Sequence, residues 1–249
     1  MKTHTTKGWI LKSKSVQDNK LETIIYTDDF GKIYLKVQGA QKMGSKLLVA
    51  CDAYKEVELV CSLPEGSAYG RLISIRELKS FDLITKEIGR FIEINYLSEM
   101  LDSLTPFALP NRTKYSLFKH CMAIAGESEY FYLAGIYFLL NFLKLAGQGL
   151  QLDVCVNCRG ECTDEIFLTS RGLICKSCKS TKTYNKRLGK QLLEQIKVIL
   201  HVNASEFVKN GNIFDVNSLI DVMNFLLPFY LPRPLKVDIF KNKMIPSGV

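Results

Sequence analysis

The sequence predicts an α+β protein in which a small antiparallel β-barrel precedes an α-helical domain with an inserted four-cysteine knuckle. The first observation is a series of short strand-like segments between residues 5 and 78. After residue 80 the apolar residues follow a helical spacing instead. Two CxxC pairs then lie between two predicted helices. We therefore expect a barrel domain at 1–79 and a helical domain at 80–249, with the knuckle at 153–180.

The barrel is predicted from segments rich in β-branched and aromatic residues. These segments are TKGWILKSK, LETIIYT, GKIYLKVQG, KEVELVCSL and GRLISIREL. The stretches between them, QDN, DDFG, GAQKMGS and PEGSAY, contain the Gly, Asp, Asn and Pro residues that favour turns. Five strands in so short a stretch, most of them without a helix between, are typical of small barrels.

The helical domain is predicted to begin at Ser80, a suitable N-cap. Apolar residues follow at roughly helical spacing: Leu83, Ile84, Ile88, Phe91, Ile92, Ile94 and Leu97. The prolines of TPFALPN end this helix, and further helices are predicted at about 112–126, 129–146, 186–201 and 215–229. The longest apolar run, YFYLAGIYFLLNFL, is shorter than the roughly twenty residues of a membrane span. It predicts a buried core helix.

The charge and the N-terminal composition bear on compartment and partners. The start, MKTHTTKGWILKSK, lacks the apolar run of a signal peptide, so we expect a cytoplasmic protein without a membrane anchor. The net charge is +8, and residues 176–190 hold six Lys or Arg and no acid. Residues 1–46 add nine Lys against four acids. Clustered positive charge favours a polyanion such as nucleic acid, although a solvated surface that maintains solubility is the alternative.

The cysteines Cys155, Cys158, Cys175 and Cys178 have the C-x2-C-x16-C-x2-C spacing of a four-thiolate zinc site. Disulfides are disfavoured in a reducing cytosol, and a redox CxxC would need a βαβ unit that the pattern lacks. Four thiolates leave no position for water or substrate, so the predicted Zn²⁺ is structural.

Four further cysteines lie outside this spacing. Cys162 is a fifth thiol near the predicted site, either a free neighbour or a substitute ligand. The remaining three are expected to be small core residues: Cys51, Cys61 and Cys121.

We identify no catalytic constellation. The cysteine spacing also occurs in the lid of adenylate kinases and in sirtuins, but MGSKL is an incomplete phosphate loop and GQGLQL an incomplete dinucleotide loop. Metal sites built from distant carboxylates stay open as an alternative.

The segment GKIYLKVQG suggests a ligand-binding face, because side chains alternate across a strand. The core side receives Ile33, Leu35 and Val37. The outer side receives Lys32, Tyr34, Lys36 and Gln38. OB-type barrels bind single strands with a combination of two features: lysines that bind phosphates and, beside them, an aromatic ring that stacks on a base. The following loop adds Lys42 and Lys46, whereas the alternative is an ordinary solvent-exposed face.

The order of barrel, helices and knuckle resembles the RecO family of DNA repair proteins, which are recombination mediators. The resemblance lies in GWILKSK, YTDDFGKIYLKVQGAQKMGSKL, LAGQGLQLDVCVNCRGE and RGLICKSC. Two departures from the family pattern are Gln41-Lys42-Met43, where the loop is often Arg-rich, and Arg171-Gly172, where a Gly-Gly pair is usual.

The resemblance implies an N-terminal OB-fold, a helical domain and a zinc site. It also implies a non-enzymatic function: binding single- and double-stranded DNA, annealing complementary strands, and loading the RecA recombinase with the partner RecR. A further implied partner is the acidic, apolar C-terminal tail of single-stranded-DNA-binding protein. Such a protein would be cytoplasmic and associated with the nucleoid during repair.

Two other hypotheses remain beside the DNA-binding mediator. One is a zinc-containing enzyme that acts on nucleotides or nucleic acid through a centre the motifs do not reveal. The other is a scaffold whose helical half binds a protein.

Overall fold

The computed structural model describes residues 2–17, 20–39, 45, 47, 49, 52–81, 87–163, 165–180 and 184–236. Along the described residues five strands come first and helices follow, and a small second sheet lies in the segment that contains the cysteine pairs. The predicted α+β class is confirmed, as is the order of barrel, helices and inserted four-cysteine segment.

The N-terminal strands form a closed barrel. They are β1 (Lys2–Gln17), β2 (Lys20–Thr27), β3 (Gly31–Gln38), β4 (Glu56–Leu63) and β5 (Tyr69–Lys79), and they pair in the order β1-β2-β3-β5-β4. All five overlap the predicted strands. The fold is OB-like, but β3 and β5 pair in parallel, which differs from the purely antiparallel expectation. An odd number of strands cannot alternate in direction all the way round, so one pairing must be parallel.

The interior of the barrel is a single apolar cluster to which every strand contributes. Its members are Ile10, Leu21, Ile25, Ile33, Leu35, Val37, Val57, Leu59, Cys61, Leu63, Leu72 and Ile75. The predicted inward side of β3 is therefore confirmed, and so is the core position of Cys61. Near the start of β5, Gly70 lies so close to β4 that an added Cβ would be 2.3 Å from the Ser62 carbonyl oxygen. Glycine is the residue that avoids this clash.

The first helix, α1 (Ile88–Leu104), begins later than the sequence predicts. Its N-cap position is occupied by Glu87, whereas the Ser80 hydroxyl donates a hydrogen bond to the carboxylate of Glu77. The prediction of Ser80 as N-cap is therefore wrong, since its side chain is engaged on β5. Leu83 and Ile84 lie outside the described residues.

The described residues form five further α-helices: α2 (Arg112–Glu127), α3 (Ala134–Leu145), α4 (Lys190–His201), α5 (Ala204–Lys209) and α6 (Val216–Tyr230). The apolar run at α3 is buried along most of its length, as predicted for a core helix. The short α5 was not predicted, although Asn203 and Glu206 form a capping box at its start. Among the described residues, no helix has both the length and the apolarity needed to cross a bilayer.

The segment between α3 and α4 contains a sheet that the sequence did not reveal. Its strands are β6 (Ile166–Thr169), β7 (Gly172–Cys175) and β8 (Lys186–Leu188), in the order β7-β6-β8. Because β8 occupies the start of the helix predicted at 186–201, α4 begins at Lys190 instead.

The chain divides into two compact units, one made of residues up to 116 and from 235 onwards, the other of residues 117–234. The predicted boundary after residue 79 follows the change from strands to helices. Compactness instead groups α1 and the first residues of α2 with the barrel. Specific contacts explain this: Asp102 on α1 pairs with Lys12 and Lys32, and the Tyr115 hydroxyl lies 3.5 Å from a Glu56 carboxylate oxygen.

Candidate metal centre and nucleic-acid surface

The four cysteines of the two CxxC pairs converge on one point. The Sγ atoms of Cys155, Cys158, Cys175 and Cys178 all lie within 4.8 Å of one another. The Cys158 and Cys175 sulfurs are 3.8 Å apart. A tetrahedral zinc with bonds of about 2.3 Å places its sulfurs roughly 3.8 Å from each other. The arrangement therefore fits the predicted four-thiolate zinc site.

Local backbone structure holds these sulfurs in place. The first knuckle closes through hydrogen bonds from Cys155 N to Gly160 O (2.9 Å) and from Arg159 N to Cys155 O (3.0 Å). Strand β7 ends at Cys175, whose N–H donates to the Cys155 sulfur at 3.5 Å. A 3-10 turn over Lys176–Cys178 then brings the fourth thiol back.

The ionisation of these thiols also fits a cation. Burial opposes ionisation of Cys155, but backbone N–H groups, led by that of Cys158, outweigh it and lower its pKa to about 6. Hydrogen bonds to Cys158 and Cys175 raise the pKa of Cys178 to about 12. The Cys178 thiol therefore does not ionise at neutral pH by itself, and a divalent cation bound by the four sulfurs would supply the charge that makes them all thiolates.

The other cysteines have the roles of packing residues. Cys162 packs against the small cluster of Cys155, Phe167 and Ile174, and burial raises its pKa. Its sulfur is not among the four that converge. Cys121 is fully buried, as predicted, whereas Cys51 lies outside the described residues.

On the outer side of β3, the burial of Lys32 differs from the prediction. Its side chain is buried, and its Nζ lies 3.1 Å from Asp102 Oδ1 and 2.5 Å from the Asp102 carbonyl oxygen. The ammonium also lies 4.6 Å from the ring centre of Phe107. The expectation that Lys32 lies on an exposed face is therefore wrong, because α1 and the segment after it cover this end of the strand, and its contact with DNA stays a prediction that this burial does not favour. Alternation identifies the outer side of a strand but not whether another element covers it.

The remaining predicted DNA-binding residues have different positions. Lys36 is exposed and Tyr34 is half-buried. Burial, followed by a hydrogen bond to Glu22, raises the pKa of Tyr34 to about 12, so its ring stays neutral at physiological pH. Lys42 and Lys46 lie outside the described residues and stay predictions.

Tyr34 belongs to a row of three rings, which we call the aromatic row: Tyr34, Tyr69 and Phe107. The ring centres of Tyr34 and Tyr69 are 5.5 Å apart, and those of Tyr69 and Phe107 are 5.8 Å apart and nearly parallel, at 23°. Tyr69 is 59% exposed and Phe107 36%. Two exposed cations flank the row where β3 and β5 pair, with Lys36 opposite Arg71.

Sequence reasoning missed Tyr69, Arg71 and Phe107. Tyr69 immediately precedes the segment predicted as the last strand, and Phe107 lies in TPFALPN, interpreted only as a helix terminator. The usable signal was the pair of exposed residues Tyr69 and Arg71, which alternate on one strand as Tyr34 and Lys36 do.

Three of the six cations in the basic run at 176–190 are paired with carboxylates. Lys176 and Arg187 both contact Glu165, at 3.0 and 3.2 Å, and Lys186 contacts Asp221 at 3.4 Å. Such pairing reduces the charge that this run offers to a polyanion.

Comparison with known proteins relates the chain to one family. The family model described as "Recombination protein O C terminal" matches residues 86–236. A DNA repair protein RecO from Caldanaerobacter subterraneus is 24% identical over 96% of this chain and 95% of its own length. The one from Clostridium perfringens is 26% identical over 94% and 96%. The one from Syntrophus aciditrophicus is 26% identical over 72% of this chain and 71% of its own length.

Proposed function

The chain belongs to the RecO family of DNA repair proteins, and on that premise we propose that it is a DNA-binding recombination mediator. It binds single- and double-stranded DNA, anneals complementary strands and, with RecR, helps to load the RecA recombinase. It also contacts the C-terminal tail of single-stranded-DNA-binding protein. It catalyses no chemical reaction, and it acts in the cytoplasm at the nucleoid during repair.

The observation that carries this proposal is the aromatic row with its flanking cations. Stacked, partly exposed rings bind bases without regard to sequence, and adjacent cations neutralise phosphates. Lys36 and Arg71 lie opposite each other across the β3–β5 pairing, so both can follow one DNA backbone. Lys42 and Lys46, which follow β3 in the sequence, are further candidates for this contact.

The four cysteines hold a structural Zn²⁺ in this proposal. All four positions of the tetrahedron are thiolates, so the metal has no open position for a water or substrate. The ion instead fixes the two knuckles and the β6–β8 sheet. Metal-dependent folding of this kind is usual for small modules whose apolar core is slight.

The experiment is a titration of an oligothymidylate with the parent protein and two variants. Tyr69→Ala removes one stacking partner, so affinity is expected to fall by about 1–3 kcal/mol, roughly 5- to 140-fold. Tyr69→Phe keeps the ring and should bind like the parent. Arg71→Ala should lower the slope of log affinity against log salt by about 0.7, the contribution of one phosphate contact on a single strand.

Arg76 provides the matched control for Arg71. It lies on the same strand, but its guanidinium pairs with Glu58 at 2.9 Å, so Arg76→Ala should leave the salt slope nearly unchanged. Parent-like binding by a folded Tyr69→Ala/Arg71→Ala protein would remove the aromatic row from the mechanism. Annealing of complementary oligonucleotides without added nucleotide is the companion assay, and a chemically altered strand there would indicate an enzyme instead.

A further inference from the structure

A cavity of about 310 Å³ lies in the unit formed by residues 117–234, beside the cysteine knuckles. Residues from the first knuckle, the β6–β7 hairpin, the approach to β8 and α6 line it, among them Val156, Asn157, Arg171, Ile174, Tyr184 and Phe229. This volume is at the lower end of the roughly 300–1,000 Å³ of small-ligand sites. It suits a group of the size of one nucleotide.

Aromatic residues form one wall of this cavity. The ring of Tyr184 stacks on Phe225 with centres 5.2 Å apart and an angle of 12°, and Phe229 is tilted against it at 5.7 Å. Tyr184 is nonetheless 69% exposed. Because Phe225 covers one face of the Tyr184 ring, this exposure leaves the other face open to a stacking partner.

Arg171 also lines this cavity, and it is carried by an anchored turn. Arg171 lies in the two-residue turn between β6 and β7, where its N–H donates to the Thr169 hydroxyl at 3.3 Å. The Thr169 hydroxyl donates in turn to the Gly172 carbonyl at 2.8 Å, and the Tyr230 hydroxyl donates to the Ser170 carbonyl. The turn is thereby fixed both internally and to α6.

The glycine after Arg171 helps to hold the turn in place. Gly172 has a φ of +134°, and a Cβ there would lie 2.1 Å from the Gln151 carbonyl oxygen. Residues other than glycine do not fit between β7 and the backbone of Gln151. The chain N-terminal to the knuckles therefore packs directly against the turn that carries Arg171.

Arg171 differs in its pairing from three basic residues of the same region. Lys176, Lys186 and Arg187 each have a carboxylate partner. Among the described residues, no carboxylate oxygen lies within 4 Å of the Arg171 guanidinium. A guanidinium with open donors favours a phosphate, which it can bind with two parallel hydrogen bonds.

We propose that Arg171, Tyr184 and Phe229 form a second single-stranded nucleic-acid site, separate in residues from the aromatic row. Tyr184 and Phe229 stack on a base and Arg171 binds the adjacent phosphate. The ligand is single-stranded, because in a duplex both faces of each base are already covered by stacking. The inference rests on the proposed DNA-binding function, since it assigns a further site for the same class of ligand. Two separate sites would let one molecule hold two strands that are to be annealed.

The test is photochemical crosslinking of an oligothymidylate carrying one 5-iodouracil to the full, zinc-loaded chain, with the labelled peptides identified by mass spectrometry. We expect label on the peptide that contains Tyr184 and on one that contains Tyr69. Arg171→Ala should reduce label at Tyr184 about tenfold, the effect of losing a hydrogen bond to a charged group. The label at Tyr69 should not change.

Lys190→Ala is the matched control, because it removes one exposed positive charge from the same region without altering the cavity lining. It should leave the label at Tyr184 unchanged. Zinc content and circular dichroism equal to the parent's establish that each variant is folded. Tyr184→Ala, measured by direct binding, supplies a second route if Arg171→Ala fails to fold, with an expected loss of about 5- to 140-fold for a short oligomer at this site.

The outcomes separate this site from the barrel. Label at Tyr69 but none at Tyr184 overturns the second site and leaves the proposed function intact. Label at Tyr184 alone supports the second site while contradicting the aromatic row. If an acidic peptide with an apolar C-terminal end protects the cavity and the oligonucleotide does not label it, the site is a peptide site and the inference is wrong.

Discussion

Replacing Asp102 with Asn is expected to destabilise the barrel unit by about 3–5 kcal/mol, the usual result of leaving a buried charge without its partner. The Asp102 side chain is 12% exposed and that of Lys32 6%, so neither charge is well solvated. Once the carboxylate is gone, the Lys32 ammonium keeps the main-chain carbonyl oxygen of residue 102, the face of Phe107 and at most a neutral amide oxygen, and it loses its opposite charge. Lys12, whose side chain is 42% exposed, loses little because water solvates it.

Urea unfolding of the single and double variants measures this effect. Lys32→Met alone leaves a buried carboxylate that still has Lys12, so a smaller loss is expected. The double variant Lys32→Met/Asp102→Asn should recover part of the stability, because a buried pair can be replaced by uncharged groups at little cost. Surface substitutions usually change the free energy of unfolding by about 0.5 kcal/mol or less. If Asp102→Asn changes it by less than about 1 kcal/mol, the assignment of Lys32 as a buried structural cation is wrong.

The same pair predicts a pH dependence. Burial opposes ionisation of Asp102, but hydrogen bonds and charges from Lys12 and Lys32 outweigh it and lower its pKa. A carboxyl with a lowered pKa in the folded state stabilises the protein above the unfolded pKa, about 3.9. This contribution is lost as the pH falls through the lowered pKa. The stability difference between the parent and Asp102→Asn should therefore be constant near neutral pH and shrink below about pH 4.

Two further predictions concern the metal and a partner. Cys175→Ser should abolish the binding of one zinc per chain, measured by elemental analysis, and unfold the knuckle region, since structural zinc contributes about 10 kcal/mol or more. The control variant Cys162→Ser should bind zinc like the parent. A parent protein that is free of zinc when purified without chelator would contradict the site. An acidic peptide with an apolar C-terminal end should bind in a calorimetric titration and weaken with salt without vanishing, because apolar contacts are little screened; absence of binding at low salt would contradict the proposed partner.

The sequence was sufficient for features that depend on spacing along one segment. Alternation placed Ile33, Leu35 and Val37 inside the barrel, because a strand with one buried side must alternate. The CxxC spacing brought together Cys155 and Cys178 with their pair mates, because each tight turn aims both of its thiols at one point. Both arguments need only local geometry, so no knowledge of distant contacts was required.

Features that depend on which elements cover each other could not be obtained in this way. Lys32 and Lys36 are both lysines on the same side of the same strand, yet α1 covers only Lys32. The aromatic row joins residues 34, 69 and 107, and that juxtaposition requires the parallel pairing of β3 with β5. The β6–β8 strands are three or four residues long, too short for a periodic pattern to be read.

Lys32, which alternation assigned to DNA, contacts the segment that carries Phe107 of the aromatic row. The Lys32 carbonyl accepts a hydrogen bond from Ala108 N at 3.0 Å, and its ammonium contacts the Phe107 ring. With Asp102 bound to the same ammonium, Lys32 ties both ends of the segment 102–108 to β3. Phe107 therefore lies beside Tyr69 in a segment that a buried cation fixes to β3. Loss of Lys32 should lower affinity for single strands by displacing Phe107, while the salt slope stays that of the parent because no phosphate contact is lost.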